Sequence, residues 1–225
     1  ALLPPMLQHL KGYDVVDTGL ALMPRGVGTL ISMQLSGMMV RRGVDPRKIV
    51  AVGFATCALS LWEMSAWSLD VDRFHIVASG FVQGLGMGLV FIPLNFSEFA
   101  TLSPALRTDG SSLLNLMRAI GSSVGISIVT TLLARNIQVA HSDLAGHITP
   151  MASTVVDVST LDRFGRFGEA AMRMLDAEIN RQAAMIAYVD DFWFMAWVTI
   201  ASLPLVLLMR RATPAGPPPR AEAPH

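Results

Sequence analysis

The stretch IVASGFVQGLGMGLVFIPLNFSEF (residues 76–99), followed by SPALRTDG (103–110) and LLNLMRAIGSSVGISIVTTLLA (113–134), decides the fold of this chain. Each apolar run is about 20 residues long, which at about 1.5 Å per residue matches a hydrocarbon core about 30 Å thick. Joined by a short polar connector, the two runs read as a membrane-spanning helical hairpin. Gly80, Gly84 and Gly88 in the first arm, and Gly121 and Gly125 in the second, recur every four residues, giving each arm a face on which another helix backbone can approach. The same arms carry Gln83, Asn95, Glu98, Asn115 and Arg118. Hydrocarbon penalises such groups, so they belong against protein or a wet cavity. The combination describes the wall of a pathway rather than an anchor.

The rest of the chain has the same character. Of 225 residues, 52% are hydrophobic and 15% charged, and the mean hydropathy is +0.49. That is too apolar for a soluble domain of this size and reads as an all-α, polytopic membrane bundle. The formal net charge is zero, which leaves no electrostatic footprint for a nucleic-acid partner. Cys57 is the single cysteine, so neither a disulfide framework nor a cysteine metal site exists.

Five spans are expected, at about 15–40, 49–69, 76–99, 113–134 and 188–209. Residues 1–13 read as the exit of an upstream helix, and the opening Ala-Leu-Leu-Pro-Pro, without an initiator Met, reads as a C-terminal fragment. Pro24 and Gly26, flanking Arg25, are expected to bend the first span. The turn at residues 41–48 holds four basic residues against Asp45, which assigns it to the cytoplasm, and Arg210 and Arg211 close the last span on the same side. The acidic turn at Asp70 and Asp72 then lies outside.

Residues 135–187 are too polar to insert and read as an extracytoplasmic loop. From Leu161 onward, Leu161, Phe164, Met172, Leu175, Ile179 and Ile186 recur at helical spacing, which predicts an amphipathic helix lying on the outer interface and feeding the last span. Asp190 and Asp191 open that span beside Phe192 and Trp193 at the aromatic belt. Residues 210–225, with five prolines, read as a disordered cytoplasmic tail.

No catalytic or nucleotide motif stands out, which points to a non-enzyme without cofactor or metal. His141 and His147 lack the spacing and acid partners of a metal site. Gly84, Gly86 and Gly88 follow no strand and read as packing glycines.

The candidates are therefore the polar groups within the spans. Arg118 cannot discharge itself, so its burial needs an anion, carbonyls or water, and Glu98 is a plausible partner at the same depth; the alternative is snorkelling to the headgroups. Glu63 is the one acid deep in the second span, a proton-site candidate weighed against an interface role. Pro93 frees the Leu89 carbonyl and is either a hinge or a packing kink.

At these residues the chain resembles a known family. Gly80-Phe-Val-Gln-Gly-Leu-Gly-Met-Gly-Leu-Val-Phe-Ile-Pro-Leu94, the run from Leu102 through Arg118 to Gly125, Leu22-Met-Pro-Arg-Gly-Val-Gly28 and Ala187-Tyr-Val-Asp-Asp-Phe-Trp193 closely resemble the EmrB/QacA-type drug:proton antiporters. These form the fourteen-helix branch of the major facilitator superfamily. The resemblance covers essentially the whole chain and implies the C-terminal part of that fold in a bacterial inner membrane. It implies proton-driven export of hydrophobic or amphiphilic compounds by alternating access against an N-terminal half, often with a periplasmic adaptor protein. In that family the long outer loop lies between the last two helices, where hydropathy also puts it. Arg41 stands where the superfamily's Gly-x-Leu-x-Asp-Arg loop has its first Asp. Two rival readings are a metabolite or siderophore exporter on the same fold and a non-transporting membrane scaffold, which would scatter its polar residues without a common face.

Overall fold

The computed structural model describes the backbone of residues 2–100, 107–155 and 166–207, and the side chains of residues 2–96, 108–146 and 173–206. All regular structure among them is α-helix: α1 (Leu3–Lys11), α2 (Val15–Arg41), α3 (Pro46–Met64), α4 (Arg73–Ala100), α5 (Arg107–Val155) and α6 (Arg166–Leu207).

The boundaries follow from local chemistry. Pro4 and Pro5 occupy the first turn of α1, where no N–H is missed, and Gly12 at φ 67° ends it, with the Tyr13 N–H donating to the Leu7 carbonyl at 3.1 Å. Asp14 then caps α2, its carboxylate accepting from the Val15 N–H at 2.7 Å. At the other end Gly43, at φ 81°, allows the turn in which the Val44 N–H reaches the Met39 carbonyl. Asp45 and Pro46 restart the chain as α3, with Asp45 accepting from the Arg47 N–H at 3.2 Å.

Three helices are long and apolar enough to cross a membrane, over Arg73–Phe96, Thr108–Gly146 and Arg173–Val206. Lipid tails are as apolar as Leu, so association within a bilayer depends on close backbone approach and polar ties rather than on escape from water. α4 is built for this on two faces. Toward α2, a Cβ at Gly84 would strike the Arg25 carbonyl, and one at Gly88 would meet Ser32 Oγ and the Thr29 carbonyl. Toward α3, Gly86 opposes Gly53 and Cys57, and Ser60 Oγ donates to the Ser79 carbonyl at 2.8 Å.

The expected hairpin of consecutive spans is corrected by this packing: α4 lies between α2 and α3, whereas α5 packs along α6, and α6 in turn packs on α3. Among the described residues, Gly121 and Gly125 have no neighbour within reach of a Cβ. The physical reason is that small-residue spacing makes an approach possible without naming the partner; polar ties and shape choose it.

A second difference lies past the expected fourth span. The segment expected as a loop from residue 135 continues helically to Val155, and α6 runs from Arg166 without a break into the last span. The two extensions pair antiparallel, with His141 Nε2 3.3 Å from Asp176 Oδ1. The periodicity from residue 166 onward thus belongs to a helix leaning on α5, not to one lying on the interface. Residues 156–165, and the expected tail from 210, fall outside the described residues.

One end of the bundle is closed by an apolar cluster of Leu3, Leu7, Met64, Trp67, Ile76 and Phe192, drawn from α1, the α3–α4 region and α6. Trp67 meets Phe192 edge-on, with ring centroids 6.1 Å apart. Lys11 Nζ fastens this end by donating to the Val71 carbonyl at 2.8 Å.

Candidate functional site

α4 carries a third face besides the two that pack. Met87, Phe91 and Asn95 are spaced four residues apart, so their side chains stack along one stripe. Among the described residues, α5 reaches α4 at this stripe through the long side chain of Arg118. Arg118 Nη2 donates to Asn95 Oδ1 at 3.2 Å, and its guanidinium carbon lies 5.4 Å from the Phe91 ring centroid. A guanidinium suits both contacts, because its planar N–H fork hydrogen-bonds in plane while its face stacks on an aromatic ring. From the α2 side, Arg25 directs Nη2 to Met87 Sδ at 3.3 Å. The stripe is thus an open apolar strip, with Met87 36% and Phe91 40% exposed, flanked by cations from two other helices.

Two of the sequence candidates, Asn95 and Arg118, are brought together here, and Asn115 lies one turn from Arg118 on the exposed surface of α5. Glu98 follows Asn95 by three residues in α4, but its side chain, and with it the expected Arg118–Glu98 pair, lies outside the described residues. Gln83 is elsewhere. It is 8% exposed, with Oε1 buried and without a hydrogen-bond partner among the described residues, and Cys57 Sγ donates to its backbone carbonyl at 3.8 Å. It sits within the α3–α4 packing rather than on the open stripe.

Glu63 departs from its expected setting. α3 ends at Met64, so this side chain stands exposed on the last turn instead of deep in a span. The burial that a proton site there requires is not supplied by the described residues. Pro93 is buried and α4 continues through it as one helix.

Two residues passed over in the sequence reading stand out. Arg25, read only as part of a bend, lies on α2 ten residues into the helix. Its depth was the available signal, since a cation that far inside an expected span is costly. Asp191 is 1% exposed and its Oδ2 has no hydrogen-bond partner among the described residues. Its position beside Asp190 and Trp193 suggested an interfacial acid, whereas helical phase turns it inward with Ala187 and Tyr188, both buried. Asp190 instead lines a cavity of about 270 Å³ between α5 and α6, with Asn136, Asp143 and Ile186.

No family model matches the chain. Among curated proteins it is similar to the fatty acid resistance protein FarB of Neisseria gonorrhoeae, 27% identical over 93% of this chain and 41% of that protein. It is likewise similar to the multidrug export protein EmrB of Escherichia coli K12, 27% identical over 96% of this chain and 42% of that protein. A multidrug resistance protein B homolog of Mycobacterium tuberculosis is 31% identical over 74% of this chain and 32% of that protein. The chain therefore spans about two fifths of the length of the first two of these relatives and about a third of the last.

Proposed function

We propose that the protein carrying this chain, which is similar to EmrB-type exporters, exports small hydrophobic or amphiphilic compounds across the bacterial inner membrane, driven by protons, on the fold of the major facilitator superfamily. The described helices form one wall of a central cavity and move against a second, N-terminal half by alternating access. The relatives, more than twice as long as their matched parts, have room for such a half.

The observation that carries this reading is the Arg118–Asn95 hydrogen bond beside Phe91. It puts charged, amide and aromatic groups together on an open face of helices long enough to span a bilayer, and polar residues at such positions line substrate or ion paths. A scaffold has no use for this convergence. In this reading Arg118, Asn95, Asn115 and Glu98 line the cavity or its gate, Gln83 supports the wall behind them, and Pro93 is a hinge in α4. The paired extensions of α5 and α6 offer a docking surface for a periplasmic adaptor.

The test is transport by the full-length protein in proteoliposomes under an imposed proton gradient, using a fluorescent amphiphile. Gradient-dependent movement that falls severalfold in Arg118→Ala is expected. Movement unaffected by collapsing the gradient excludes proton coupling, and the absence of any movement excludes export.

A further inference from the structure

The guanidinium of Arg25 has capacity that its surroundings do not use. Among the described residues its polar contact is the Met87 thioether, a weak acceptor for a group with five N–H donors. Among the described residues no carboxylate lies within ion-pairing distance of it. It sits about 15 Å along the axis from the Val15 end of α2, further than an extended arginine side chain spans. A half-buried guanidinium at that depth draws an anion or water to itself.

Its backbone is held in place. Gly84 abuts the Arg25 carbonyl, and Thr29 Oγ1 donates to the same oxygen at 2.9 Å. α2 and α4 therefore approach closely at this residue, and a ligand that uses its side chain meets a base already ordered, which lowers the cost of binding. From Met87 the stripe runs on through Phe91, both exposed, so an apolar body has a surface to lie on directly beside the charge.

We propose that Arg25, Met87 and Phe91 form a subsite for carboxylate-bearing amphiphiles, with the guanidinium taking the carboxylate and the stripe of α4 taking the apolar body. This rests on the export reading of the same wall and narrows its substrate class. A planar guanidinium matches a carboxylate with two parallel N–H donors, which a neutral amide or ester cannot accept as strongly. The anion preference belongs to Arg25 and not to Arg118, whose guanidinium is already engaged by Asn95 and Phe91.

The experiment uses the full-length protein purified in detergent, with a dansyl-labelled medium-chain fatty acid and its primary amide as a matched pair of probes read by fluorescence. The acid is expected to bind roughly tenfold or more tightly than the amide, as loss of a charge-assisted hydrogen bond implies. Arg25→Gln should remove that preference by weakening acid binding severalfold more than amide binding, and Arg25→Lys should keep part of it. Equal affinity for both probes in the native protein overturns the subsite, as does a preference that survives Arg25→Gln or an equal loss of both probes in that variant. Should Arg25→Gln not fold, an acid preference undiminished in Arg25→Lys overturns it instead, because a point charge does not reproduce the fork. Acid-selective binding without gradient-driven transport of either probe removes the export reading and leaves the subsite standing.

Discussion

Gly84 of α4 lies so close to Arg25 of α2 that a methyl group on it would collide with the Arg25 carbonyl oxygen. The obstacle is backbone, which cannot swing aside, so the two helices must separate to admit a side chain. Gly84→Ala is expected to destabilise the protein by about 1–3 kcal/mol, the usual range for overpacking. Gly121→Ala, with nothing within reach of its Cβ, should change stability by less than about 0.5 kcal/mol. Thermal unfolding of the two variants in detergent compares them directly, and equal melting temperatures would remove the close approach as a determinant of the α2–α4 pair.

The Arg118–Asn95 bond predicts coupling. Arg118→Ala and Asn95→Ala each remove the same hydrogen bond, so the double variant should lose less than the sum of the single effects, by about 0.5–3 kcal/mol in the range typical of directly bonded pairs. Transport rates in the four-protein cycle provide the measurement. Strict additivity would mean that the two groups act apart.

Charge asymmetry between the short turns predicts sidedness. With Cys57 replaced by Ser, single cysteines at Arg42 and Ser142, both exposed, should react with an impermeant maleimide from opposite faces of the membrane, Arg42→Cys from the cytoplasm. Gly43 is the poorer choice, because its φ of 81° strains any other residue. Labelling of both sites from the same face contradicts the expected topology.

Asp191 predicts an uneven response to substitution. A buried carboxyl oxygen without a partner is a cost to the fold, so Asp191→Leu is expected to hold or raise the melting temperature. A drop corresponding to more than about 2 kcal/mol would reveal a partner for this oxygen, since breaking a buried polar pair costs that much or more.

What could be read from the residues divides along physical lines. Long apolar runs announce helices, and α2 and α4 begin and end within a few residues of the limits expected for them because Asp14, Gly43 and the apolar runs themselves set them. The α6 extension was read as an amphipathic helix from its apolar periodicity, but its continuity with the last span, the helical run of α5 past residue 135 and the pairing of the two were not legible. That pairing depends on each helix leaning on the other, and pairs within α6 such as Gln182 with Glu178 at 2.8 Å and Asn180 with Asp176 at 3.2 Å add to it. The neighbour of each glycine face was equally hidden: Gly84 and Gly121 sit in the same spacing, yet one is tightly opposed and the other open. For the site, Arg118 and Asn95 were identifiable singly as costly residues in a span. Their mutual bond, and the part of Arg25 beside Met87, needed the packing of α4 between its neighbours.

The length of α5 has a mechanical meaning. Its 49 residues correspond to an axis of about 74 Å, of which a bilayer core accounts for about 30 Å. With the expected span at 113–134, the 21 residues of α5 beyond it form a lever of about 31 Å, braced alongside by α6, whose fulcrum is the end of that span. A rocking of only about 5° at that fulcrum would sweep the far tip through about 3 Å, by simple trigonometry on that length. Any protein gripping the tip would therefore feel each conformational cycle as a displacement comparable to the length of a hydrogen bond.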